Sequence, residues 1–255
     1  MVLGQHMMRF LILSDIHSNL EALEAVLEKV RGQYDRVICC GDLVGYGPNP
    51  NEVTEYIRDL NPLIIRGNHE KAALGMVDLS LFNPLAKKAA LWTQNVLTSQ
   101  NRDYLAAIPS GPMNDSGFTL VHGSILDEDE YLVDLEEALQ SLHNAWNPLT
   151  FFGHTHVQGG FVFFKDGRAG FLNPEIDRGK NESHLRVDSQ NRFLVNPGSV
   201  GQPRDYDWRA AYVIYDQDEQ LVHYFRVEYP VEITQEKMRS AQLPQYLIDR
   251  LSLGR

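Results

Sequence analysis

The sequence predicts an α/β fold. Three observations carry this: short apolar runs alternate with helical patterns in the first half, the second half is richer in strands, and the early runs end in Asp, His, Asn and Gly. The runs Phe10–Leu13, Val37–Cys40 and Leu63–Ile65 read as strands. Between them, Leu20, Leu23, Leu27 and Val30 keep helical spacing, and Val53, Ile57 and Leu60 repeat it. A β-α-β-α-β order implies parallel strands joined by crossover helices. Ser18 with Glu21 reads as a capping box at the first helix start. Asn83–Leu97 and Asp103–Ala107 form a helical insert, about residues 71–107. Six further strands follow at Phe118–Val121, Thr150–Phe152, Phe161–Phe164, Phe193–Val195, Tyr212–Tyr215 and Val222–Val227, with a helix at Leu135–Trp146. They predict a mixed or antiparallel second sheet. The polar stretch 166–188, with Gly167, Gly170, Pro174 and Gly179, reads as a long loop or irregular hairpin. No repeat or linker divides the chain, so residues 8–255 read as one domain. Residues 1–7 precede a second methionine, Met8, and are set aside as a remnant of expression.

The 255 residues carry 23 basic and 34 acidic side chains, a net charge of −11. Such a surface repels phosphate backbones, which argues against general nucleic-acid binding but leaves room for a local phosphate site. No apolar run approaches the ~18 residues of a membrane span, so no membrane association is expected. The 2 cysteines, Cys39 and Cys40, are adjacent on a strand and face opposite ways. They read as small core residues in a reduced, cytoplasmic protein. Nothing in the sequence bears on oligomeric state.

The chemistry lies at the strand ends. The first run is followed by Ser14-Asp15-Ile16-His17 and the second by Gly41-Asp42-Leu43-Val44-Gly45. The third leads into Arg66-Gly67-Asn68-His69-Glu70, the fourth into His122-Gly123 and the fifth into Gly153-His154-Thr155-His156. Open α/β sheets bind ligands at the carboxyl ends of their strands. Asp15 and His17 are two residues apart, as are His154 and His156, so extended backbone would aim each pair to one side. Carboxylate, imidazole and amide without thiolate suit Mn, Fe, Zn, Co or Ni. Seven ligands exceed the need of one ion and fit two ions sharing a carboxylate, ~3.5–4 Å apart.

The ordered set Asp-x-His, Gly-Asp-x-x-Gly, Gly-Asn-His-Glu, His and Gly-His-x-His resembles the calcineurin-like metallophosphoesterase superfamily. Asn196-Pro197-Gly198-Ser199-Val200-Gly201-Gln202-Pro203-Arg204 is similar to a segment of its small bacterial phosphodiesterase-like branch. The resemblance implies a four-layer sandwich of two mixed β-sheets flanked by α-helices. It implies one metal on Asp15, His17, Asp42 and His156, and a second on Asp42, Asn68, His122 and His154, with Asp42 bridging. A hydroxide between the ions would be the nucleophile, and His69 would assist the leaving oxygen. The expected cofactors are two divalent transition-metal ions, manganese first. The protein serine/threonine phosphatases of this superfamily carry an arginine where Tyr46 stands here. That departure favours a diester over a monoester, because a monoester dianion gains most from such a cation. Arg204 and Tyr46 are the residues expected to meet a small phosphate-ester or nucleotide substrate, with Arg66 and Lys87 as possible replacement cations. Asn196–Arg204 weighs equally as a structural turn or a substrate gate, the acidic run Asp127–Glu130 reads as a solvated loop, and Phe82, Leu85 and Trp92 read as core. The competing functions are a phosphomonoesterase, a dinucleoside polyphosphate hydrolase, and a metal-binding scaffold or sensor.

Overall fold

The computed structural model describes residues 8–176 and 181–255, so the remnant proposed at residues 1–7 lies outside the described residues. Strands β1 (Arg9–Leu13), β2 (Arg36–Cys39) and β3 (Leu63–Ile64) alternate with helices α1 (Leu20–Lys29) and α2 (Pro50–Leu60). Three helices follow: α3 (Asn68–Ala73), α4 (Pro84–Val96) and α5 (Ser99–Ala107). Then come β4 (Met113–Asp115), β5 (Phe118–Leu120), α6 (Leu135–His143), β6 (Leu149–Phe151), β7 (Gly159–Phe163) and β8 (Ala169–Leu172). The chain continues through β9 (Glu182–Arg186), β10 (Arg192–Asn196), β11 (Ala210–Asp216), β12 (Leu221–Val227), α7 (Val231–Ser240) and α8 (Gln245–Leu251).

Two mixed six-stranded sheets result, ordered β3-β2-β1-β11-β12-β9 and β4-β5-β6-β10-β7-β8. In the first, β1, β2 and β3 run parallel; in the second, β5, β6 and β10 do. The six polar motifs leave the carboxyl ends of these six strands, which explains why distant segments meet. The sequence assigned sheets by halves of the chain. Instead the first sheet is completed by C-terminal strands, because β11 pairs antiparallel with β1 and is buried along its whole length.

Apolar patterning accounts for the layers. Between the sheets lie Phe10, Ile12, Ile38, Cys40, Phe118, Phe151, Val213 and Tyr215. The outer face of the first sheet buries Leu11, Leu13 and Cys39 against α1, α2, α7 and α8. The second sheet packs Phe152, Phe161 and Leu194 against Ala138 and Leu142 of α6. Cys39 and Cys40 therefore do face opposite cores, and burial pushes both thiols up. No helix among the described residues is long and apolar enough to cross a membrane.

Several local readings need correction. Asn19, not Ser18, caps α1: its Oδ1 accepts from the Ala22 N–H at 3.2 Å. Ser18 is turned to φ 55° and donates its N–H to Leu43 O at 2.8 Å, while Glu21 is drawn to Thr234 and Lys237. The stretch 166–188 holds two outer strands, β8 against β7 and β9 against β12, with residues 177–180 outside the described residues. Both strands leave one side to solvent, so their composition stayed polar. The short strand β4 and helices α3, α7 and α8 were not anticipated.

Phe118 is the centre of the inter-sheet aromatic cluster, 5.1 Å from Phe10, 5.5 Å from Phe151 and 6.2 Å from Tyr215 between ring centroids. Phe118→Ala is expected to cost about 3–5 kcal/mol. Differential scanning calorimetry should show this as a drop in Tm of roughly 6–20 °C.

Candidate metal centre

The ligands are aimed by unusual backbone. Asp15, His17, Asp42, His154 and His156 all have φ between 49° and 66°. Extended backbone therefore does not align the Asp15/His17 and His154/His156 pairs; left-handed turns do. Such conformations cost of order 1–3 kcal/mol each in non-glycine residues and persist where the surroundings over-determine them. Here the loops lock each other. Asp15 N donates to Gly41 O (3.0 Å), His17 N to Asp42 O (3.0 Å) and His154 N to both Asp15 carboxylate oxygens (3.2 and 3.1 Å). A Cβ on Gly67 would lie 2.2 Å from Asp42 Oδ1, so glycine is what lets the third loop close on the carboxylate.

Two buried groups of ligand atoms form, one from Asp15, His17, Asp42 and His156, the other from Asp42, His122 and His154. Asp42 belongs to both. Asn68, half-buried, places Oδ1 3.2 Å from His122 Nε2 and so joins the second group. All seven residues singled out in the sequence thus converge.

The hydrogen bonds determine which ring nitrogens are bare. Nδ1 of His17, His122 and His156 donates to the carbonyls of Val44 (3.0 Å), Cys40 (2.8 Å) and Gln202 (2.7 Å). His154 does the reverse, donating Nε2–H to Asp129 O at 3.0 Å and leaving Nδ1 bare. Such bonds to the second nitrogen fix the tautomer of a metal-bound histidine. The His17 and His156 Nε2 atoms then face each other 3.0 Å apart as two lone pairs. His122 Nε2 lies 3.4 Å from Asp42 Oδ2, a buried oxygen with no hydrogen-bond partner among the described residues. Asp42 Oδ1 instead accepts the His69 N–H at 2.9 Å. Lone pairs gathered this closely repel one another unless a cation lies among them, so the donor set fits divalent metal.

The electrostatics agree. Burial holds His17 well below its ordinary value and His154 at about 3, so both rings are neutral. Burial acts downward on His122, but the Asp42 and Asp15 carboxylates and the Cys40 carbonyl together carry the ring up to about 10. The field that draws a proton to this Nε2 also draws a metal ion. Burial pushes the Asp42 and Asp15 carboxyls upward, yet the neighbouring imidazoles prevail and hold both below the usual range.

The sequence reading gave no supporting role to Glu70, Lys71 or Tyr131. Glu70 accepts from four backbone N–H groups: Asp42 (2.9 Å), Leu43 (2.8 Å), Val44 (3.2 Å) and Gly67 (2.7 Å). It thereby ties the second loop to the third; its place in Gly-Asn-His-Glu was the available signal. The run Asp127–Glu130 is not a free solvated loop. Lys71 Nζ reaches Glu128 Oε1 (2.8 Å) and Asp129 Oδ1 (2.6 Å), and the docked Asp129 carbonyl orients His154. Tyr131 closes over His154 with ring centroids 3.8 Å apart. Of the two roles weighed for Asn196–Arg204, these contacts support the structural one at Asn196 and Ser199: Asn196 Nδ2 donates to Gly153 O (2.9 Å) and Ser199 Oγ to Asp15 O (2.7 Å).

His69, Tyr46 and Arg204 complete the surroundings. The His69 ring is buried 4.7 Å from that of His17 and 4.4 Å from that of Tyr46, and burial pulls it down to about 4. A Cβ on Gly45 would fall 2.1 Å from His69 Nδ1, so that glycine makes room for the ring. Tyr46 and His69 line a cavity of about 360 Å³ that opens beside Asn68 and His154. Arg204 lies behind Tyr46, its guanidinium 5.8 Å from the ring centroid, and is not a cavity-lining residue. Arg66 is paired with Glu128 at 3.2 Å and so is no free replacement cation. Phe82 packs against the core, as expected, and also forms a wall of the cavity; Trp92 packs against the main core, and Leu85 is exposed.

These contacts predict distinct metal phenotypes. Calorimetric titration with Mn should show both ions lost in Asp42→Asn but one retained in Asp15→Asn. Lys71→Ala should weaken the His154-side ion about 10–100-fold and leave the other unchanged.

The comparisons with known proteins agree with this geometry. Residues 8–220 match the calcineurin-like phosphoesterase superfamily domain. An uncharacterized protein of Methanocaldococcus jannaschii is 36% identical over 248 residues, covering 96% of this chain and 97% of its own. The crystal structure of a metallophosphoesterase from Sphaerobacter thermophilus superposes with a TM-score of 0.84 at 39% identity, covering 98% of this chain and 100% of that one. A hypothetical protein from Pyrococcus horikoshii OT3, 21% identical, shares the fold with a TM-score of 0.77 over 98% of this chain and 99% of its own. The chain belongs to the calcineurin-like phosphoesterase superfamily.

Proposed function

We propose that the protein is a phosphodiesterase acting on a small phosphate-ester or nucleotide substrate, with two divalent metal ions, manganese foremost, sharing Asp42. The observation that carries this is one buried oxygen, Asp42 Oδ2, which has no hydrogen-bond partner among the described residues and lies 3.7 Å from His17 Nε2 in one ligand set and 3.4 Å from His122 Nε2 in the other. When bound, such ions supply hydroxide at neutral pH and neutralise phosphate oxygens. The chain's own residues do the rest. Asp15, His17 and His156 hold one side of the centre, and Asn68, His122 and His154 the other. Buried walls limit water and strengthen every electrostatic contact inside. His69 lies in the cavity wall next to the ligand Asn68, where it hydrogen-bonds the leaving oxygen. Tyr46 occupies the position at which a monoesterase would present a guanidinium, and a diester monoanion needs that charge least. Arg204 acts from behind Tyr46, adding positive potential to the site.

The test is hydrolysis of bis(4-nitrophenyl) phosphate against 4-nitrophenyl phosphate, using stripped protein and protein restored with Mn. Diester turnover should require metal, exceed monoester turnover in kcat/KM and vanish in Asp42→Asn. His69→Ala should lower kcat by about 10²–10⁴-fold with metal content intact. Monoester preference, or turnover in stripped protein, contradicts the proposal.

A further inference from the structure

The cavity beside the metal centre has a composition of its own. Its floor is Asn68, His69 and His154. One wall comes from the segment after α3 and from the start of α4, with Val77, Phe82 and Ala86. Tyr46 and Tyr131 line the cavity as well. The Phe82 ring stands edge-on to His69, with centroids 6.0 Å apart, and the exposed Tyr131 ring covers His154. Five aromatic rings, those of Tyr46, His69, Phe82, Tyr131 and His154, therefore line a space of about 360 Å³, near the lower end of small-molecule pockets.

Charge is distributed as unevenly as polarity. Among the described residues no lysine or arginine lines this cavity, whereas Asp78 and Asp129 do. Asp129 is neutralised by Lys71, and Asp78 accepts from the Ser80 N–H and hydroxyl. Lys71 is committed to Asp129 and Glu128, and Lys87, whose charge acts on Asp78, does not line the cavity. A group with its own negative charge would thus enter a space that offers it aromatic faces and carboxylates. A neutral planar group would gain stacking and burial there.

Resting on the phosphodiesterase reading, we propose that this cavity receives one ester group of the substrate, and that the group is aromatic and uncharged. Phe82 is its specificity-determining residue. The same lining disfavours substrates that extend into the cavity with further phosphates, which separates a simple diester from a dinucleoside polyphosphate. The wall that carries much of this preference, Val77, Phe82 and Ala86, lies in the insert, apart from the metal ligands.

The test measures binding apart from turnover. Mn-loaded protein would be titrated calorimetrically with methylphosphonate, phenylphosphonate, 4-carbamoylphenylphosphonate and 4-carboxyphenylphosphonate. The phenyl compound should bind at least about tenfold tighter than the methyl compound. The carbamoyl compound should keep that gain and the carboxyl compound, similar in size but anionic, should lose it. Phe82→Ala should erase most of the phenyl-to-methyl ratio, and Phe82→Leu should retain part of it. Equal binding of phenyl- and methylphosphonate, or a ratio unchanged in Phe82→Ala, overturns the proposal. Carboxyl binding as tight as carbamoyl overturns its charge selectivity. Bis(4-nitrophenyl) phosphate hydrolysis run on the same samples separates the two readings. Turnover with a flat binding series defeats the cavity assignment alone. The predicted binding series without turnover defeats the hydrolase reading and leaves the cavity assignment standing.

Discussion

The structure is organised around the mutual repulsion of lone pairs. Asp42 Oδ2, the bare Nε2 atoms of His17, His122 and His156, and Asn68 Oδ1 are held within a few ångströms of one another, out of water. No arrangement of neutral hydrogen bonds satisfies such a set, because each imidazole N–H is already committed to a carbonyl on the far side. Positive charge is what makes the arrangement stable. The parallel β1-β2-β3 and β5-β6-β10 triplets make this possible, since they deliver every ligand from a carboxyl end.

Holding that arrangement requires the backbone to be locked from outside the centre. Glu70 does so for the Asp42 loop with four N–H bonds, and the Asn196–Arg204 segment does so for the Asp15 and His154 loops. A further layer lies behind. Gln158, two residues past His156, donates to Pro197 O (3.0 Å) and Phe225 O (3.1 Å) and accepts from Arg226 Nε (3.0 Å). Arg226 in turn pairs with Asp205, next to Arg204. Strain at five left-handed ligands is thus opposed by polar contacts that run through both sheets. Truncating a bracing residue should disturb ligand geometry more than its distance from the metals suggests.

The ligand set was legible because its chemistry is carried by residue type. Asp, His and Asn at the ends of apolar runs need no partner to be recognised, and seven of them in order point to one place. The four-layer sandwich was reached through the resemblance those motifs carry, and the parallel first strands through their alternation with helices. What escaped depends on remote pairing. Ser18 and Asn19 are both good caps, and only the bond from Ser18 N to Leu43 O decides between them. The acidic run 127–130 looks solvated until Lys71, more than fifty residues away, is seen to hold it. Strands β8 and β9 half-bury only alternate residues at sheet margins, and α7 and α8 begin at prolines with narrow apolar stripes, so neither pair stood out.

The central claim is that two ions share one oxygen. The direct measurement is anomalous scattering at the manganese edge from crystals of the Mn-loaded protein. The account predicts two peaks, ~3.5–4 Å apart, flanking Asp42 Oδ2. One peak lies toward His17 and His156, the other toward His122 and His154. A single peak, or two peaks that do not both contact Asp42, would contradict it.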